Sequence, residues 1–511
     1  MKNSSQTEQS NDVFDLTDSP WLPVRDHLGH PHLISLLDLF RSPADWADLD
    51  LRPHERVSIM RLLICITQAA IGAPEDADGW ADFGQDLSEK TTAYLTNVRW
   101  QAAFNLLGDG PRFLQRRPAK QGEPTMVSKL VPNLASGNNP TNFDHGGGTE
   151  RAMERAPLAM ALLTFQNYYP LYGAGYKGRG PCVDGNMLHT FLRGANMREI
   201  ILRNCLDEEI IANQLGGMGR PIWEKWPATP SDKLAVDNAR LTYLGRLVPL
   251  HRTLWICDNR AHVLVGQDGW EYPSFEEYQE PSATVITTAK GDNRQLWASL
   301  DRAIWRDLHA LTVLSTPANS KAGAPLIVKA HQNPKAAKPV DIWTGALVTD
   351  GKAKILDTVE SVFHLESRLF TDVGRGIYER GVAYAQRRLN HLRDAVRAYG
   401  KAMKHESPSI PAAERHYWHA LDRESEWLLK VACDPATGDL TFGGASRDNW
   451  TALVRESLLA AYEHACPRDT PRQIEAFAQG LRALQPPPAK LKTKKAAKRA
   501  ENNPQTPNAH A

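Results

Sequence analysis

Gly173-Ala174-Gly175-Tyr176-Lys177-Gly178 matches the G-x-G-x-x-G pattern of dinucleotide-binding folds letter for letter. The pattern makes a nucleotide site only where a buried strand precedes it and a helix opens at its last glycine. Here the preceding run, Thr149 to Tyr169, has helical spacing, with Met153, Leu158, Met160, Leu162, Leu163 and Phe165 as its apolar positions and Pro157 bending or restarting it. The following Arg179-Gly180-Pro181-Cys182 cannot start a helix in register. The nucleotide-cofactor reading fails on context, and no cofactor is expected. What remains is a glycine loop flanked by Pro170, Tyr172, Tyr176, Lys177 and Arg179. Such a loop brings bare backbone, amide donors, rings and cations close to a ligand, which suits the grip on a nucleic-acid backbone or groove. An irregular surface loop fits the same residues, and both readings stay open at this point.

The chain around this loop has 511 residues, enough for two or more domains. Lys plus Arg number 60 against 59 Asp plus Glu, so any nucleic-acid surface must be a local patch rather than a property of the whole molecule. Six cysteines, at 65, 182, 205, 257, 433 and 466, form no C-x-x-C pair, which argues against a disulfide framework or zinc ribbon and fits a reducing cytoplasm. The polar opening, residues 1–12, reads as a disordered end rather than a leader, and the apolar runs are too short to span a bilayer. A cytoplasmic protein without membrane contact is expected.

Working outward, Phe14 to Val24 reads as a short extended segment punctuated by Pro20 and Pro23. Pro53 to Ile71 reads as a core helix, with Pro53 in its first turn and Val57, Met60, Leu63, Ile64 and Ile66 leaving little polar face. Residues 116–148 are rich in loop formers. Strand patterns follow at Leu254–Ile256, His262–Val265 and Thr284–Thr287, with Asp268-Gly269 as a turn signal. Trp343 to Thr358 predicts a hairpin, its strands flanking Asp350-Gly351, a favoured tight-turn pair. Lys352 and Lys354 would share one strand face, either as a basic probe of phosphates or as guards of an ordinary edge strand. Beyond Val359 the pattern is helical: Tyr378–Met403, Pro411–Ala432, Asn449–Cys466 and Pro471–Leu484 predict a four-helix bundle. The expected layout is a mixed α/β domain over 13–360, an all-α bundle over 361–485, and a basic disordered tail over 486–511.

Catalytic patterns are thin. There is no H-E-x-x-H, Walker A or G-x-S-x-G sequence, and His405-Glu406 lacks a second histidine one turn on, so no metal site is expected. Asp144-His145 lies in a glycine-rich loop and reads as a loop-tip polar pair. Glu414-Arg415-His416 sits at a helix start, where a carboxylate suits the positive end. The inventory points to a recognition or scaffold subunit, not an enzyme. One alternative is a stand-alone enzyme with a pocket collecting Asp144, His145 and Lys177. Another is a nonspecific nucleic-acid binder working through Lys490 to Arg499.

Several segments share an order with a known family. Phe14-Asp15-Leu16 leading to Pro20-Trp21-Leu22-Pro23-Val24 resembles the opening of the CasA family, the large subunit of the type I-E CRISPR Cascade complex. The helix with Leu63-Ile64-Cys65-Ile66-Thr67-Gln68 follows, then Pro111-Arg112-Phe113-Leu114-Gln115, the Asn142-Phe143 loop, Gly175-Tyr176-Lys177, and Thr190-Phe191-Leu192-Arg193-Gly194. Trp343-Thr344-Gly345 and Ala413-Glu414-Arg415-His416-Tyr417-Trp418 close the series. Each motif is unspecific alone; the shared order runs through nearly the whole chain.

The resemblance implies a mixed α/β domain followed by a four-helix bundle. It implies recognition of the protospacer-adjacent motif (PAM) in duplex DNA, largely from the minor groove, while a guide RNA reads the target by pairing. The implied partners are target double-stranded DNA, CRISPR guide RNA, the Cascade backbone and small subunits, and the helicase–nuclease that cuts. It assigns DNA contact to Tyr172, Gly173, Ala174, Gly175, Tyr176 and Lys177, with Ala174 standing where glycine can occur in the family. It assigns contact with guide RNA and neighbouring subunits to Asn142, Phe143, Asp144 and His145. Gln267-Asp268-Gly269 stands near the family's lysine probe without a lysine. The hairpin tip Thr349, Asp350, Gly351 and Lys352 resembles the strand-separating wedge without the glutamine that some members carry. The motif preference is therefore expected to differ from that of members with both residues.

Overall fold

The computed structural model describes residues 13–75, 79–118, 123–131, 150–168, 180–182, 185–229, 231–288, 290–315, 322–350, 355–404, 408–434 and 450–484. Two compact units divide the chain, Met1–Gly376 and Ile377–Ala511. The first mixes helices with eleven strands among its described residues: β1 (Leu22–Asp26), β2 (Pro31–Ile34), β3 (Trp46–Leu49), β4 (Thr125–Met126), β5 (His189–Leu192), β6 (Arg252–Ile256), β7 (His262–Gly269), β8 (Val285–Thr287), β9 (Asn293–Gln295), β10 (Val340–Thr349) and β11 (Ile355–Leu365). They form small antiparallel sheets in the orders β2-β1-β3, β11-β10-β5, β4-β7-β6 and β8-β9.

The helix Pro53–Ile71 is the spine of this unit. Pro53 occupies its first turn, where no intrahelical N–H is needed, and the Glu55 carboxylate accepts from the Arg52 amide at 3.1 Å. Gly72, at φ +79°, ends it in a backbone region that other residues rarely enter. Every residue from Val57 to Gln68 is buried, as its unbroken apolar face predicted. Burial also takes in Arg61, which no period-based reading marks as core. Its guanidinium donates to Glu280 at 2.5 Å, and Arg246 donates to the other carboxylate oxygen at 2.5 Å. The two arginines are 2% and the glutamate 1% exposed, so one carboxylate bridges two guanidinium groups away from water and leaves one net positive charge for backbone carbonyls to solvate. The remaining arginine donors go to backbone carbonyls of Leu247, Arg246, Pro273 and Arg240, which is what burial of guanidinium requires.

One local expectation in the strands is corrected, the turn at Asp268-Gly269. The last described pair of the long hairpin is Thr349 with Ile355, and the turn expected at Asp350-Gly351 reaches outside the described residues. The register shifts between Val348 and Thr349. The second strand, β11, is described from Ile355, and Lys352 and Lys354 lie outside the described residues. Asp268-Gly269 is not a turn but the end of β7, where Gly269 pairs with Arg252. The turn between β6 and β7 falls at Cys257–Ala261, with Arg260 at φ +55° and the Asn259 carboxamide accepting from Ala261. The expected boundary at residue 360 falls within β11, whose pairing with β10 runs to Leu365.

In the second unit, all regular structure among the described residues is helical. The helix Asp372–Met403 begins just before the unit boundary and continues into it. The expected helix over 411–432 is two, Ile410–Arg423 and Ser425–Cys433, broken at Glu424. Trp450–Ala465 and Pro471–Leu484 follow. Buried aromatic rings tie these helices through their polar ends. Tyr417 donates to the Ala385 carbonyl at 2.9 Å, Trp450 to Gly381 at 2.9 Å, and Tyr462 to Phe477 at 2.9 Å.

Candidate nucleic-acid interface

Most of the sequence-derived contact residues lie outside the described residues: Asn142 to His145, Tyr172 to Lys177, Gly351 and Lys352. Thr349 and Asp350 are described, and Gln267 is described as backbone in β7. What the structure gives for the loops is their roots.

The helix Arg155–Tyr168 leads into the glycine loop, and its last turn is locked to β6. Gln166 is buried; its amide nitrogen donates to the carbonyls of Arg252 (2.9 Å) and Leu114 (3.2 Å), and its amide oxygen accepts from the Arg252 amide at 3.2 Å. The backbone oxygen of Gln166 lies 2.8 Å from His251 Nδ1. Burial, with Arg252 beside it, pushes the His251 pKa down to about 3, so the ring is neutral and Nδ1 carries the proton. The far end of the loop returns to the same place. The Cys182 amide donates to the Asn167 carbonyl at 3.1 Å, and a Cβ on Gly180 would stand 2.3 Å from that oxygen. Only glycine allows this approach. Burial raises the Cys182 thiol to about 12, so it is a packed, unreactive group.

Beyond Cys182 the chain is handed to a second sheet. Asn186 Oδ1 accepts from the Thr349 amide (2.9 Å) and hydroxyl (3.0 Å), while Asn186 Nδ2 reaches the Thr349 carbonyl at 3.4 Å. Three residues later β5 begins and pairs with β10 from Gly345 to Ile342. Thr349 is buried and Asp350 is exposed. The segment 186–188 also pairs with 296–298, through Leu188 N to Leu296 O (2.9 Å), Ala298 N to Asn186 O (2.8 Å) and a Met187–Trp297 bridge.

The ends of the other loop sit on the first of these sheets. Before it, β4 pairs with β7 and the Val127 amide donates to Ala261 at 2.8 Å. After it, Glu150 lies 3.6 Å from His262, and the Met153 amide donates to Arg260 at 3.0 Å. The segments carrying Asn142–His145, Gly173–Gly178 and Gln267 are thus rooted on the β4-β7-β6 sheet, and the second of them also leads to the hairpin sheet. Sequence reasoning missed Gln166, Asn167 and Asn186, the residues that make these joints. The turn-forming Asp184-Gly185-Asn186 was a visible signal for the last of them.

Among the described residues, no group of three His, Cys, Asp or Glu side chains is arranged to hold a metal ion, and no helix is long and apolar enough to cross a membrane. All six cysteines are free thiols.

Solved structures of similar fold define the class. Thermus thermophilus CasA (Cse1) superposes with a TM-score of 0.71 at 21% identity, over 92% of this chain and 98% of that one. The Cse1 of Acidimicrobium ferrooxidans gives 0.69 at 17%, over 92% and 97%. A chain of a structure described as a CRISPR RNA-guided surveillance complex gives 0.70 at 16%, over 92% and 99%. The fold is that of CasA/Cse1 proteins. The model of the family "CRISPR-associated protein Cse1" matches residues 15–461, and the curated CasA/Cse1 of Thermus thermophilus is 27% identical over 528 aligned positions, 92% of this chain and 96% of the relative. The chain belongs to the Cse1 (CasA) family of Cascade large subunits.

Proposed function

We propose that this chain is the non-catalytic subunit of a type I-E Cascade that recognises the PAM in duplex DNA and promotes strand separation beside it. In this reading the glycine loop grips the groove through Tyr172 to Lys177, and the 349–352 tip competes with base stacking at the adjacent step. Forcing strands apart there costs roughly a few kcal/mol per step, and guide pairing then propagates the opening. Asn142 to His145 meet the guide RNA end and neighbouring subunits, and Gln267 lies where the duplex passes. The helices after Asp372 form a four-helix bundle, with Ile410–Arg423 and Ser425–Cys433 acting as one broken member. The backbone and small subunits and a separate helicase–nuclease complete the assembly in the cytoplasm.

The observation that carries the reading is the common root of the two DNA-facing elements. The Asn167–Cys182 bond closes the glycine loop, and four residues later Asn186 holds the base of the hairpin tip. Two probes set on one joint can act on one short stretch of duplex.

The test is binding of the assembled complex, with and without this chain, to matched duplexes that differ only in the motif beside the target, at one stated salt concentration. Discrimination that disappears without the chain and returns on adding it back is expected. Equal binding to all motifs in both preparations rejects the reading.

A further inference from the structure

Trp297 stands beside the joint just described and has no role in the reading above. The residue is 46% exposed, while its backbone bridges to Met187. Gly185, at φ +67°, lies against the ring so closely that a Cβ there would fall 2.2 Å from Cε2 and 2.5 Å from Nε1. Gly185 and Asn186 are neighbours, and the flanking Ala298 amide donates to Asn186. The same Asn186 binds Thr349, so one rigid segment carries both the indole and the base of the hairpin tip. The Arg294 guanidinium lies 5.8 Å from the indole centroid. A large flat ring packed on glycine backbone, nearly half exposed and next to a cation, has the composition of a base-stacking platform.

We infer that Trp297 stacks on an unpaired DNA base released at the hairpin, with Arg294 beside it on the adjoining phosphate. The inference rests on the strand-separating role proposed above. It adds a capture step: a base taken out of the duplex stack regains stacking on the indole, so the opened step is held rather than re-paired. The indole suits any base, because every base presents a π face, so Trp297 should add strength without altering motif choice.

The test uses the complete guide-loaded complex and duplexes carrying 2-aminopurine at each of the first pairs beside the motif. This base brightens when unstacked and dims when restacked on a ring. Trp297→Leu should brighten the probe at one position and weaken binding of the matched duplex about tenfold, with motif ranking unchanged. Trp297→Phe should restore most of both signals. If the wild-type complex discriminates motifs but Trp297→Leu leaves brightness and affinity unchanged, the platform is rejected while the recognition role stands. If the wild-type complex shows no motif discrimination, the recognition role fails instead, and this inference with it. A Trp297→Leu chain that folds alone but no longer enters the complex would overturn the inference in favour of a subunit contact.

Discussion

Asn186 uses its carboxamide as a substitute strand partner for Thr349. It accepts from the Thr349 amide and hydroxyl and reaches its carbonyl, at a point where β5 no longer runs beside β10. A side-chain amide offers the same donor–acceptor pair as a peptide group, so β10 stays ordered to the edge of its tip. Asn186→Ala takes this acceptor away from the buried Thr349 amide, at a cost of about 1–3 kcal/mol. Faster hydrogen exchange confined to the end of β10, with the Tm of the chain lowered by only a few degrees, is the expected result. Protection at Thr349 equal to wild type would show that Asn186 does not hold the tip.

Gly180→Ala should separate the two ends of the glycine loop. The added methyl would meet the Asn167 carbonyl at 2.3 Å, so the Cys182–Asn167 hydrogen bond must lengthen or break. The expected phenotype is weaker duplex binding by the complex with nearly unchanged thermal stability. A large drop in Tm with normal binding by the surviving fraction would assign Gly180 to the core instead.

Lys352→Ala and Asp350→Asn separate charge from shape at the hairpin tip. A lysine on a phosphate adds roughly one unit to the slope of log affinity against log salt. Lys352→Ala should lower that slope and weaken all duplexes alike, whereas Asp350→Asn should strengthen them by removing an opposing charge. Effects confined to a single motif would make either residue a base reader.

Glu280→Gln breaks the buried Arg61–Glu280–Arg246 triad and leaves two guanidinium groups without a counter-charge. The two arginines hold the Glu280 carboxyl below its usual range against burial, so the pair interactions dominate there. Removing the carboxylate should destabilise the first unit by about 3–5 kcal/mol, read as lost soluble yield and a lower Tm. An unchanged Tm would mean that water or rearranged carbonyls can solvate both arginines.

Stability should fall on mild acidification. Burial lowers His189 and His251 to about 3, and His54 and His331 to about 4, each from an ordinary 6.5. Unfolded histidines therefore bind protons that the folded ones refuse. Their contribution is complete above pH 6.5 and is lost as pH falls toward 4 and 3, at about 1.4 kcal/mol per pH unit for each group. His364, raised by its hydrogen bond to Asp341, works in the opposite sense but is exposed. Scanning calorimetry between pH 7 and 5 should show Tm falling with pH, and His251→Asn should flatten the slope. A Tm that rises on acidification would contradict the neutral-ring assignment.

Period and punctuation were legible at long range. The helix Pro53–Ile71 was predicted with its bounds, because an N-terminal proline, an unbroken apolar run and a closing glycine all act within a few residues. The strands at 254–256, 262–265 and 343–358 were legible for the same reason, as was the family, through ordered motifs that no single position makes specific. Asp268-Gly269 misled, because dipeptide preference knows nothing of which strands pair: a Cβ on Gly269 would stand 1.9 Å from the His251 carbonyl, so the glycine serves close strand approach rather than a turn.

The chain's own order of residues thus determined the mixed helix and strand content, the helical character of its last third and its family, since these depend on local spacing. Tertiary structure alone decided that Arg61 is a core residue, that Asn167 meets Cys182, and that Asn186 meets Thr349 across 163 positions. Such contacts depend on which carbonyls and amides remain unpaired once the sheets have formed, and no local pattern records that. The joint between loop and hairpin belongs to this second kind, because Asn186 and Thr349 meet just beyond the paired ends of β5 and β10.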